Sequence, residues 1–184
     1  MIADITKEMT KHMVVDIETL GIQLGSPLLS IGAVCGTRTF YVVISPTQGQ
    51  VDMNTFNWWH SDQVSPEAKD HVFRLNPLIR RQPLSYALKS FKHFLFECGA
   101  SFMWGCSPDF DFGHLAHWYK EVGLEVPWEF WQLRDIRTIR GFLSPEEKAA
   151  VEDKTLIKHI AIDDAIQEQL YLKAFLQKVG PCYE

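Results

Sequence analysis

The chain has 184 residues, 46% hydrophobic and 22% charged, which suits one globular domain with a real core and leaves little room for a second. No apolar run is long enough to span a membrane and the polar start has no signal-peptide core, so a cytoplasmic protein is expected. The net charge of −5 excludes a broad electrostatic grip on nucleic acid, but not an enzyme whose acids are neutralised by bound divalent cations.

In chain order, residues 1–11 read as a flexible tail and residues 12–184 as a single domain. A first strand is expected over residues 13–18, a second over 28–34 and a third over 39–44, with turns between them, closing an antiparallel meander. Residues 54–59 suggest a short helix, and Ser65-Pro66 opens another. Apolar residues at 84, 87, 88, 91, 94, 95 and 98 form a helical stripe. A short apolar strand over 100–104 ends at Gly105, and a helix follows over 112–122, opened by Asp109 and Asp111. A last strand is expected over 132–139, a short helix from Ser144-Pro145, and a closing helix over 162–179. A meander followed by alternating helix and strand gives an α/β domain with a mixed five-stranded sheet flanked by helices. Cys35, Cys98, Cys106 and Cys182 lack metal-ligand spacing and read as reduced thiols.

Chemistry enters at Met13-Val14-Val15-Asp16-Ile17-Glu18-Thr19. Residues two apart on a strand share a face, so Asp16 and Glu18 point to one side at the end of a hydrophobic strand. Like charges held so close must share a proton, shift their pKa or bind cations, and hard oxygen donors suit Mg²⁺ or Mn²⁺. Alone, an Asp-x-Glu is more often a solvated strand end. Two further acidic sites change that balance: Pro108-Asp109-Phe110-Asp111 entering one helix, and His159-Ile160-Ala161-Ile162-Asp163-Asp164 entering the last. His159 stands before that helix, and Asp164 is expected more than one turn inside it.

Asp16-Ile17-Glu18-Thr19, Phe110-Asp111 and His159-x-Ala161-x-x-Asp164 resemble, in order and spacing, the three motifs of the DEDDh branch of DnaQ-like (ribonuclease T-like) 3′–5′ exonucleases. Thr55-Phe56-Asn57-Trp58-Trp59 and Arg134-Asp135-Ile136-Arg137-Thr138 are similar to segments of phage and prophage exonuclease VIII-like proteins and of related actinobacterial exoribonucleases. The resemblance implies a ribonuclease H-like fold. It further implies two Mg²⁺ or Mn²⁺ ions bound by Asp16, Glu18, Asp111 and Asp164, with His159 as the general base that activates water. The Phe-Asp match favours Asp111 over Asp109, and the His-to-Asp offset favours Asp164 over Asp163. The implied reaction releases nucleoside 5′-monophosphates from a single strand with a free 3′-OH, with DNA as the first expectation and RNA as the alternative. A catalytically silent nucleic-acid-binding module is the rival from another class. Family members often dimerise, which allows a homodimer; no interface is legible in the sequence.

Other residues carry weaker expectations. Thr19 is a candidate partner of the terminal 3′-OH, or simply the strand end. The resemblance implies that Leu20 wedges against the terminal base; the other reading is a buried turn leucine. Trp58 and Trp59 are candidate stacking platforms, with at least one expected in the core. Arg137 is a candidate phosphate contact, or the partner of Asp135. His114 and His117 suggest a zinc pair on a helix, but no third ligand lies nearby.

Overall fold

The computed structural model describes residues 5–73 and 80–180. In chain order these form α1 (Ile5–Met9), β1 (His12–Thr19), β2 (Leu28–Cys35), β3 (Arg38–Val43), α2 (Met53–Trp59), α3 (Pro66–Val72), α4 (Leu84–Cys98), β4 (Phe102–Gly105), α5 (Pro108–Glu121), β5 (Leu133–Asp135), α6 (Ile136–Arg140), α7 (Pro145–Ala150) and α8 (Ala161–Val179). They build one mixed five-stranded sheet in the order β3-β2-β1-β4-β5. β1 runs antiparallel to β2 and parallel to β4, so it is central and paired on both edges.

Side chains alternate across β1 and so feed two layers. Met13, Val15 and Ile17 join Leu88, Phe91, Phe112 and Leu115 of α4 and α5 on one face. Val14 points the other way, into a cluster with Val34, Trp104 and the α8 residues Ala165, Leu172 and Leu176. A third cluster, built on Leu20, Leu29, Trp59, Val64, Val72 and Ile160, anchors α2 and α3 over one end of the sheet. Among the described residues no helix is long and apolar enough to cross a membrane.

The structure differs from the sequence expectations in three respects. The N-terminal stretch is not all tail: α1 forms, and Met9 is buried in the α8-side cluster, while residues 1–4 lie outside the described residues. The last strand stops at Asp135, because the Asp135 carboxylate accepts the N–H groups of Arg137 and Thr138 and starts α6. α5 begins at Pro108 and α8 at Ala161, which puts both Asp111 and Asp164 in first helical turns. Cys35, Cys98 and Cys106 are free thiols, and Cys182 lies outside the described residues.

Candidate active site

Asp16 and Glu18 continue the Val14 face of β1 and so look toward α8. Asp16 stands opposite Gly32 in β2. A Cβ on Gly32 would lie 2.2 Å from the Ala161 carbonyl carbon and 2.3 Å from the Ile162 nitrogen, so only glycine lets α8 begin directly on the sheet beside Asp16. Asp164 follows in that first turn. Its Oδ2 accepts the backbone N–H of His159 at 2.7 Å, while Asp163 Oδ2 accepts that of Ile157 at 2.9 Å. The two adjacent acids thus divide their work: Asp163 ties the preceding loop and Asp164 fixes His159. The His159 backbone has a φ of +68°, a left-handed conformation that a non-glycine residue adopts only when its surroundings hold it.

Asp111 reaches the same place from the other side of the sheet. A Cβ on Gly105, the last residue of β4, would come within 2.7 Å of Asp111 Oδ2, so the absence of a side chain there makes room for the carboxylate. Asp111 is buried and its Oδ2 has no hydrogen-bond partner, whereas Asp109 is exposed.

The electrostatics follow from this convergence. Burial raises the carboxyls of Asp16 and Glu18 well above the usual range, and their acidic neighbours raise them further: Glu18, Asp111, Glu168 and Asp164 act on Asp16, and Asp164 and Asp111 on Glu18. Burial pushes Asp111 up to about 7 against the pull of backbone donors at Ile17 and Cys106. Asp164 is raised for the same first reason. Burial lowers His159, with Asp164 opposing it, so the ring is neutral at neutral pH. Among the described residues no Lys or Arg forms an ion pair with these carboxylates, and the single pairing is His159 Nδ1 to Glu18 Oε1 at 4.0 Å. Donor atoms of Glu18, His159 and Asp164 all lie within 4.8 Å of one another. Hard oxygens, an orphaned buried Asp111 oxygen and, among the described residues, no Lys or Arg ion pair together fit a divalent cation.

Beside the carboxylates opens a pocket of about 430 Å³, lined by Glu18, Thr19, Ile22, Trp58 and Phe110 among others. Trp58 is half-buried and meets the His159 ring edge-on with centroids 4.9 Å apart. Trp59 is core: it is 1% exposed, and its Nε1 donates to the Thr19 carbonyl at 2.9 Å. Thr19 lines the pocket, and its hydroxyl donates to the Gly21 carbonyl at 2.7 Å. Leu20 is 5% exposed and turned into the third cluster, so it is a buried turn leucine here and Ile22, 68% exposed, takes the pocket rim. Arg137 does not pair with Asp135, whose oxygens are engaged at the start of α6; its Nη2 donates to the Cys106 carbonyl at 3.3 Å, beside Asp111.

Two of these residues, Ile22 and Glu168, are not picked out by the sequence, and Phe110 is marked there only as the partner of Asp111 in its motif. Ile22 looks like an ordinary turn apolar. Glu168 sits within Gln167-Glu168-Gln169 and passes for solvent-facing helix, yet it lies on the buried stripe Ala161, Ala165, Glu168, Leu172, Leu176. An acid on an apolar stripe at helical spacing was the available signal.

Residues 11–176 match the family model described as 3′–5′ exoribonuclease Rv2179c-like domain. The fold is similar to the crystal structure of the nuclease domain of 3′hExo, a DEDDh family member bound to rAMP, with a TM-score of 0.62 over 94% of each chain at 13% identity. No curated protein matches the chain.

Proposed function

The chain belongs to the family of Rv2179c-like 3′–5′ exoribonuclease domains and is a 3′–5′ exonuclease, and from that premise we propose that it shortens single-stranded RNA from a free 3′-OH, releasing nucleoside 5′-monophosphates. One observation carries the reading: four acids from three separate elements, Glu18 and Asp111 buried and Asp16 and Asp164 half-buried, crowd beside a neutral histidine, and among the described residues no Lys or Arg forms an ion pair with them. Asp16, Glu18, Asp111 and Asp164 would hold two divalent cations, Mg²⁺ or Mn²⁺. When bound, such ions would neutralise these carboxylates, polarise the scissile phosphate and stabilise the leaving 3′ oxygen.

The protein's own groups do the rest. His159 accepts the proton of the attacking water on a ring nitrogen, since burial keeps the ring neutral at neutral pH. Asp164 holds the histidine backbone and Trp58 flanks its ring, which limits where that nitrogen can point. The pocket beside Glu18 receives the terminal nucleoside: Trp58 and Phe110 offer aromatic surface, Ile22 an apolar rim, and Thr19 the wall nearest the sugar. Arg137, exposed and close to Asp111, is available to an incoming phosphate.

The motif resemblance to phage-type proteins points to DNA, while the family description favours RNA, and nothing among the pocket residues selects against a 2′-OH. Matched 5′-labelled DNA and RNA oligonucleotides, digested with Mg²⁺ or Mn²⁺, decide between them. The RNA strand is expected to shorten faster, in single-nucleotide steps. Faster digestion of DNA would return the substrate assignment to DNA, and no shortening of either strand would contradict the reaction itself.

A further inference from the structure

Glu168 stands four residues beyond Asp164 on α8, about one turn along the same face. It is 7% exposed, and its Oε2 has no hydrogen-bond partner. Around it lie the carboxylates of Asp111 and Asp164 and the thiol of Cys106. The nearest guanidinium, that of Arg140, lies over the Tyr171 ring at 4.9 Å and reaches Cys106 Sγ at 3.8 Å, and among the described residues it makes no ion pair with Glu168. A pocket of about 200 Å³, lined by Asp164, Glu168, Arg140, Lys154 and Lys158, opens this region to solvent.

Burial and like charge both oppose an ionised carboxylate at this position, and a fully apolar stripe would pack α8 without either cost. Glutamine, of the same size, would fill the position without charge. An acid kept on a buried stripe beside other carboxylates, with one oxygen lacking a hydrogen-bond partner, is explained by a cation that it helps to hold. We propose that Glu168 is a fifth carboxylate of the cation site, reaching it from the side of Asp111 and Asp164. This rests on the reading of the four motif acids as a cation site. If Glu168 were instead a neutral acid whose only task is to hydrogen-bond Cys106, glutamine would serve as well.

The test is calorimetric titration of Mn²⁺ into metal-stripped full-length protein, for the wild type, Glu168→Gln, Glu168→Asp, Asp16→Asn and Cys106→Ala, with a melting curve of each in metal-free buffer. Glu168→Gln is expected to weaken Mn²⁺ binding about ten- to a hundred-fold, the range seen when groups supporting a metal site are removed. Its metal-free melting temperature should rise, because one buried acid is gone. Glu168→Asp should retain more affinity than Glu168→Gln, and Cys106→Ala should bind as the wild type does. Wild-type affinity in Glu168→Gln, with Asp16→Asn weakened, would overturn the fifth-carboxylate role alone. Wild-type affinity in both variants would overturn the cation site with it.

Discussion

His159 combines three features that seldom meet by chance: a left-handed backbone at a φ of +68°, a backbone N–H held by Asp164, and a ring pressed edge-on by Trp58. Strain of this kind costs about 1–3 kcal/mol and persists where surrounding structure enforces it. The proximity of its donor atoms to those of Glu18 and Asp164 admits two roles, base or ligand, and one substitution separates them. His159→Ala is expected to lower the rate by about two orders of magnitude or more, in the span for general-base removal, while Mn²⁺ affinity stays close to wild type. Calorimetry showing that the variant has lost Mn²⁺ binding would make His159 a ligand. At this scale the sequence was informative wherever two residue types had to stand at a fixed offset. Asp111 rather than Asp109, and Asp164 rather than Asp163, follow from motif spacing; in the structure Asp111 is buried where Asp109 is exposed, while Asp163 and Asp164 each accept a backbone N–H of the preceding loop, from Ile157 and His159. Leu20 and Glu168 were not legible in this way. Which face a turn residue takes depends on the cluster that forms behind it, and Glu168 lies in a polar run whose burial is set by the phase of α8.

The elements that carry the acids are joined by two glycines whose role is space. Gly32 lets the first turn of α8 rest on β2 against Asp16, and Gly105 leaves room for Asp111 at the end of β4. Gly32→Ala drives a Cβ into the Ala161 backbone, which has no flexible side chain to yield, so α8 must move. Overpacking of this kind costs about 1–3 kcal/mol of stability. Activity should fall further than stability, because Asp164 moves with the helix. The check is a denaturant melt beside rates taken where the variant is still fully folded; a full-rate variant would mean that α8 docking does not set the site. The strands of the meander and the amphipathic helix α4 were readable because their apolar periods are clean. The stretch after Leu133 reads as strand because Ile136, Thr138 and Ile139 favour strand locally, while the capping carboxylate of Asp135 decides for helix. α1 reads as tail because its few apolar residues gain burial only from the packed core beyond them.

The whole molecule is acidic, at −5, and its candidate site is a pocket at one end of a central strand rather than a basic groove. Duplex phosphates find little to hold them, so binding falls to the terminal nucleotide, the aromatic walls and the cations. A paired end would first have to unstack, at a few kcal/mol, which makes a blunt duplex a slow substrate. The most direct test is digestion of a 5′-labelled single strand, with a circular strand of the same composition beside it, in Mn²⁺ and in excess chelator, by wild type and Asp16→Asn. The linear strand should shorten in one-nucleotide steps only with wild type and Mn²⁺, and the circle should stay intact. Cleavage of the circle, or shortening that persists in chelator or in Asp16→Asn, would contradict a cation-dependent 3′–5′ exonuclease site built on these acids.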